Sequence, residues 1–292
     1  MSRVRSIAAR RVAILTLAEQ DIERYLLGLM ARVWRQGGIE VVVLSDLAEH
    51  RDADLAILHV DLTHPPATHL AWTRRFPRTI NAGLAGIGKR SISSLRVQRG
   101  DGWGGPVIVK TDANYGGRPE LELARERMRR AASGSWRGRL GLARRASRRL
   151  RPRLDPTAYP LHAHPDEVPA EVWEDPELIV ERFVPERDAE DYVLRKGWYL
   201  GQRSIWWRAH ASTPVIKASS IHRRVVIPPE EGIDAWRRQV GLEFGKVDVI
   251  RVDGRPVPLD VNPTPGCVGT GLLPGVPPLI EALAPGIHDL LG

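Results

Sequence analysis

The sequence predicts an α/β (α+β) protein of two or three subdomains, and three observations predict it. Short valine-rich runs alternating with a helical-period segment open the chain. A compact apolar run, Pro106–Lys110, stands in its middle with a glycine pair just beyond. Two extended runs joined at Asp253-Gly254 come near its end. With 292 residues, 42% hydrophobic and 27% charged, the chain can bury a substantial core.

Arg11–Leu17 reads as a buried strand. Basic Arg10-Arg11 ahead of Val12–Leu17 mimics a secretion signal, but the run is short and leads straight into Glu19 and Asp21. Asp21–Gln36 carries Ile22, Tyr25, Leu26, Leu29, Met30 and Val33 at helical spacing, and Gly37-Gly38 ends that helix. Glu40–Leu44 and Asp54–Val60 are further strands, so the beginning reads as a small parallel sheet with helices packed on it. Leu15-Thr16-Leu17-Ala18-Glu19 lacks the G-x-G-x-x-G spacing, which argues against a conventional dinucleotide fold. Thr79–Asn81 is a short strand leading through Gly83, Gly86 and Gly88 to Lys89.

Lys110 ends a buried strand, where an ammonium can neutralise phosphate oxygens. Asn114-Tyr115-Gly116-Gly117 follows, and glycine lets backbone N–H groups approach an anion closely. From Glu120 to Arg153 the chain is strongly basic, and its apolar positions suggest two short helices broken at Ser133-Gly134, each with an arginine-rich face. That run suits a solvated surface, an acidic partner or nucleic acid; Trp136 is its one aromatic, so base stacking has little support. His162 and His164 invite a metal reading, yet no nearby cysteine or third histidine completes a set, and a proline-rich loop is expected there. Leu178–Val184 is a strand. Tyr192–Leu194 and Gln202–Trp207 form a hairpin about Gly197, with Trp198, Trp206 and Trp207 as packing residues. Asp234–Val240 and Pro277–Leu291 are helices.

The late hairpin reads either as an ordinary surface hairpin with solvated acids or as the seat of the chemistry. Val247–Val252 and Val257–Val261 are strands, and Asp253-Gly254 is a strong turn signal. Asp248, Asp260 and Asn262 then supply two carboxylates and an amide oxygen, the hard donors that hold Mg²⁺ and leave other positions to water and phosphate. A plain two-residue turn would pair Asp248 with Leu259 and put the aspartates on opposite faces. Bringing Asp248 opposite Asp260 requires an odd loop or a bulge, which Pro256 and Pro258 make plausible.

The net charge of +8 suits an acidic partner or substrate. One cysteine, Cys267, cannot form an internal disulfide and is expected as a small buried side chain. No apolar run is long enough to cross a bilayer, so a soluble, cytoplasmic protein without membrane partners is expected.

Taken in order, Asn81…Lys89, PVIVK with its glycine pair, LIVERFVP and VDVI…PLDVNPTPG resemble the ATP-grasp superfamily of carboxylate–amine ligase type, from about Asn81 to Gly266. The resemblance implies an N-terminal α/β domain (1–99), a small lid and central subdomain holding the arginine-rich insertion (100–185), and a C-terminal α+β subdomain with the metal hairpin (186–292). It implies ATP and Mg²⁺ as cofactors, a small-molecule or peptide carboxylate and an amine as substrates, and an acyl-phosphate intermediate. Lys89 and Lys110 look like the phosphate-binding lysines and Gly116-Gly117 like the mobile lid loop. Glu181, Arg182, Phe183 and Val184 resemble the hinge that meets adenine, with Glu181 or Asp188 for ribose. Asp248, Asp260 and Asn262 match the metal positions, and Arg203 or Arg208 would steady the γ-phosphate or acyl phosphate alongside catalytic Lys110.

The chain departs from the family pattern at several points. Asp260 stands where glutamate is usual, Val193 where arginine is frequent, and no asparagine answers the usual one near Ser219–Arg224. Two other readings follow from the same residues: a kinase that stops at a phosphorylated product, and a non-catalytic protein gripping an acidic partner or nucleic acid through the arginine-rich run.

Overall fold

The computed structural model describes residues 10–132, 154–155, 158–267 and 276–292. Strand β1 (Arg11–Leu15), helix α1 (Leu26–Gln36), and strands β2 (Glu40–Leu44), β3 (Leu55–Leu58) and β4 (Thr79–Ile80) build the first sheet, in the order β2-β1-β3-β4 with every pair parallel. Val12–Leu15 and all of β3 are buried, as continuous apolar runs covered on both faces must be. Helix α2 (Ala67–Thr73) connects β3 to β4.

The helix expected over 21–36 is broken at Tyr25. Ile22–Arg24 makes a single 3-10 turn capped by Asp21, Tyr25 is extended (φ −120°, ψ 158°), and α1 starts only at Leu26. The cause is tertiary. Leu26 donates its N–H to the Pro265 carbonyl (2.9 Å), Arg24 accepts from the Cys267 N–H (2.8 Å), and Tyr25 bridges Gly266. The chain leaving the late hairpin therefore takes the backbone groups that a continuous helix would use. It also leaves Cys267 half-buried rather than buried. The apolar stripe of α1 is Leu26, Leu27, Met30, Ala31 and Trp34, while Val33 faces outward.

Helix α3 (Lys89–Ile92) leads to the second sheet, where β5 (Val107–Thr111) lies antiparallel between β6 (Leu161–His162) and β7 (Leu178–Arg182). After β5 a 3-10 turn, Asn114–Gly117, feeds helix α4 (Arg118–Ala132). The second basic helix predicted beyond Ser133 lies outside the described residues. His162 falls on β6, and the His164 ring accepts from the Asp166 N–H at 3.2 Å, capping a local turn. Helix α5 (Ala170–Glu174) precedes β7.

The third sheet has β8 (Glu186–Asp188), β9 (Asp191–Leu200), β10 (Arg203–Ala211), β11 (Ile221–Ile227), β12 (Phe244–Val252) and β13 (Arg255–Asn262), in the order β11-β10-β9-β12-β13 with β8 on β9. The β9–β10 turn is at Gly201-Gln202, not at Gly197. Gly197 is mid-strand because a Cβ there would sit 2.5 Å from the Trp206 indole, so glycine is what lets that ring lie flat on the sheet. Helix α6 (Ile233–Val240) packs on this face with Tyr199, Trp206 and Val247.

The opposite face, through Trp198, Trp207 and Phe244, shares a core with β1, α1 and two C-terminal helices, α7 (Val276–Leu283) and α8 (Gly286–Leu291). The single closing helix expected over 277–291 is divided at Pro285, which cannot donate, and the Ala284 carbonyl receives the Trp34 indole N–H at 2.8 Å. Asn81 (φ 63°) fastens the first sheet to the third: its side chain accepts from Glu243 and Phe244 N–H and donates to the Phe244 carbonyl, all within 3.0 Å. Among the described residues no helix is long and apolar enough to cross a membrane.

The late hairpin resolves its parity requirement by a bulge. Val252 pairs with Arg255 across a two-residue turn in which Asp253 and Gly254 both have positive φ (50° and 77°), the geometry favoured for Asp-Gly. The register then shifts between Val249 and Asp248, so that Val249 pairs with Pro258, Asp248 with Asp260, and Leu259 is the extra residue.

Candidate active site

Register across the third sheet aligns Trp207, Lys196, Asp248 and Asp260 in one row over β10, β9, β12 and β13. The next row is Ile205, Trp198, Lys246 and Asn262. Residues directly paired, or two apart on a strand, share a face. The three predicted metal donors therefore converge.

Two further lysines surround them. Asp248 accepts from Lys246 Nζ at 2.9 Å and from Lys196 Nζ at 3.3 Å. Burial alone would raise its pKa, but the two ammonium groups outweigh burial and hold it below the ordinary carboxylate value. Burial pushes Lys196 down to about 8 against the pull of Asp248. Lys246 is also opposed by burial, but Asp248 and Asp260 together raise it. Asn262 Oδ1 accepts from the Thr264 N–H at 2.8 Å, and the Thr264 hydroxyl donates to Asp61 at 2.9 Å.

Two elements of the second sheet and its approach bring lysines opposite this row. Lys89, at the start of α3 and 5% exposed, donates to the Ala113 carbonyl at 2.9 Å and lies 3.8 Å from Asp260 Oδ1. Lys110 on β5 contacts Glu181 Oε2 at 2.5 Å; Glu181 is 1% exposed and its Oε1 is buried without a partner. A third lysine, Lys217, stands in the same cleft, 4.6 Å from the Tyr159 ring centroid. Burial, then the nearby Lys110 charge, push Lys217 down to about 8, with Asp260 opposing. Lys217 lies between strands in a stretch with no motif, so only proximity reveals it. Together these side chains line a cleft of about 970 Å³, part of it open to solvent, with Val184, Leu194, Ile250 and Leu259 as its apolar part.

No protein-family model matches the chain, and no curated protein matches it by sequence. Solved structures do. An ATP-grasp RimK domain protein from Sphaerobacter thermophilus aligns over 96% of this chain and 98% of its own, with a TM-score of 0.51 at 13% identity. The D-alanine–D-alanine ligase from Bacillus anthracis aligns over 97% and 96%, with a TM-score of 0.50 at 13% identity. The fold is ATP-grasp.

Within this ATP-grasp fold, several predicted site residues stand elsewhere. Arg208 pairs with Arg195, one residue out of phase with the Lys196–Asp248 row, so it points to the α6 face, where it meets Asp188 at 3.1 Å. The arginine expected at phosphate and the aspartate expected at ribose thus neutralise each other away from the cleft. Arg203 is four residues from Trp207 along β10 and donates to Asp289 of α8 at 2.8 Å. Glu181 reaches the cleft wall, yet its carboxylate is turned to Lys110 rather than outward.

The hinge is present but partly occupied by its own backbone. The Arg182 N–H donates to the Leu95 carbonyl and the Phe183 N–H to the Pro106 carbonyl, both at 2.8 Å, and the Arg182 guanidinium stacks on Trp103. In the glycine turn Tyr115, Gly116 and Gly117 all have positive φ (44°, 71° and 75°), and Tyr115, not either glycine, reaches the cleft. Asn114 anchors the turn to the loop after β3 through Thr63 (2.8 Å) and Asp61 (3.2 Å). The described part of the arginine-rich run is ion-paired: Arg127 with Glu19, and Arg129 and Arg130 with Glu126. Residues 133–153, with the rest of that run, lie outside the described residues.

Proposed function

We propose that this protein is an ATP-dependent ligase that joins a carboxylate to an amine through an acyl phosphate. One observation carries the reading: Asp248 and Asp260 line one cleft with Lys89, Lys110 and Lys217, and Asn262 lies two residues from Asp260 on the same sheet face. Carboxylate oxygens and ammonium groups lining the same cleft are what a metal-bound triphosphate needs. The ATP-grasp fold supports the same reading, since a solved neighbour is a D-alanine–D-alanine ligase complexed with ATP.

Asp248, Asp260 and Asn262 offer hard oxygens from one face, which suits Mg²⁺, and among the described residues no cluster of three His, Cys, Asp or Glu side chains offers another metal site. Asp260 is the readiest ligand, because Asp248 already serves Lys196 and Lys246 and Asn262 Oδ1 already accepts from the Thr264 N–H. Bound there, Mg²⁺ would neutralise phosphate oxygens. Lys89, Lys110 and Lys217 do the same within that cleft, with Lys217 taking the part first expected of Arg203 or Arg208. Adenine would be read by Val184 and the hinge carbonyls, since the Arg182 and Phe183 amides are committed.

In the reaction a substrate carboxylate oxygen bonds to the γ-phosphorus as its bond to the bridging oxygen breaks, releasing ADP. The amine then attacks the acyl carbon, phosphate leaves with the bonding pair, and the amine loses a proton. No side-chain nucleophile is required. Catalysis consists of positioning and charge neutralisation. ADP release measured over a panel of carboxylic acids and amines with Mg²⁺, with product masses, tests this. An amide product with ADP and free phosphate is expected; a stable phosphorylated substrate without amide overturns it.

Lys217 adds a pH signature. Its pKa of about 8 lies below the ordinary lysine value, so above pH 8 the ammonium is largely neutral in the nucleotide-free protein. A triphosphate favours the charged form, so binding between about pH 8 and pH 10 takes up a proton, and affinity falls as pH rises through that window. Calorimetry in buffers of different ionisation enthalpy should detect the uptake, and Lys217→Gln should reduce it.

A further inference from the structure

A second cleft of about 930 Å³, part of it open to solvent, lies on the same sheet face beyond the Asp248 row. Lys196 and Lys246 line it while holding Asp248 of the nucleotide cleft, so the two clefts meet at that carboxylate. Arg224 of β11 adds a third cation and has no acidic partner among the described residues. Among the described residues no carboxylate lines this cleft, and its three cations stand beside the single Asp248 between the clefts. An ammonium there would face three cations against one carboxylate; a carboxylate is the complementary group.

The remainder of the wall is apolar and aromatic. Trp198 and Trp207 lie with ring centroids 4.6 Å apart at 55°, and Leu26, Val276 and Leu279 extend the apolar surface. Both tryptophans belong to the core shared with α1 and α7, as packing residues should. The edges they leave exposed also line this cleft, where they offer an aromatic surface beside the cations.

We infer that this second cleft receives the carboxylate substrate, and that the substrate is an acid with a bulky, flat apolar body. The inference rests on the ligase reading for its role but not for its binding chemistry. The carboxylate sits at Lys196, Lys246 and Arg224, beside the row that faces the triphosphate, and the apolar body lies along Trp198 and Trp207.

Isothermal titration of the full chain with 3-phenylpropanoate, its methyl ester and acetate separates the two components. The aryl acid is expected to bind at least tenfold more tightly than either the ester or acetate. Arg224→Gln, an exposed position whose replacement leaves the core intact, should weaken the aryl acid several-fold and leave the ester unchanged. Equal affinity for acid and ester overturns the cationic wall, and equal affinity for acetate and 3-phenylpropanoate overturns the indole wall. Failure of the ligase reading has a different signature: the aryl acid binds with this preference, yet ATP is not consumed with any acid and amine.

Discussion

Asp260→Ala is expected to lower ATP turnover by about 10²–10³-fold or more while leaving the melting temperature nearly unchanged. The two halves of this result have separate causes. Asp260 is the least encumbered anion facing the lysines: its side chain is 30% exposed and its nearest cation, Lys89, is 3.8 Å away. Its loss removes the oxygen best placed to hold Mg²⁺ against the phosphates. The fold loses little, because a long, partly exposed ion pair contributes about 0–1 kcal/mol and Lys89 keeps its bond to the Ala113 carbonyl. Asp248→Ala is the less informative variant, since it strands Lys196 and Lys246 as well as removing a ligand. ADP release and thermal unfolding of Asp260→Ala decide the matter; wild-type ATP consumption would refute the assignment.

The largest stability effect is expected from Lys110→Met. Glu181 is 1% exposed, one of its oxygens already lacks a partner, and the other depends on Lys110. Removing one member of a buried ion pair leaves the other charge uncompensated, at a cost of about 3–5 kcal/mol. Replacing both, as Lys110→Met with Glu181→Leu, removes that stranded charge and should recover most of the loss. Denaturant unfolding of the single and double variants measures the coupling. Equal stability of the two would show that the pair is not buried as described. Both variants should also lose nucleotide affinity, since neither retains the ammonium.

Much of the candidate site was legible because its chemistry coincides with local pattern. A lysine ending an apolar strand, a glycine pair after it and acids on a turn-linked hairpin are all features of a few adjacent residues. The hairpin shows the limit of such reading. Its sequence demanded either an odd loop or a bulge, and the folded chain uses a two-residue turn with Leu259 as the bulge residue, which brings Leu259 and Asp260 together into the cleft. Arg208 illustrates the opposite outcome. Whether it or Trp207 shares a face with Asp248 depends on one residue of register between β9 and β10, and nothing within β10 specifies it.

Lys217 was invisible because its significance comes from Tyr159, Lys110 and Asp260, which are distant in sequence. The break at Tyr25 was hidden for the same reason: residues 265–267 compete for its backbone. Periodicity and turn chemistry are properties of neighbouring residues, so they determine the strands, the late hairpin and the identity of the charged donors. Which face a donor occupies, which lysine meets it and where a helix must yield are settled by pairings across the chain, because burial and hydrogen-bond competition act between residues that only folding brings together.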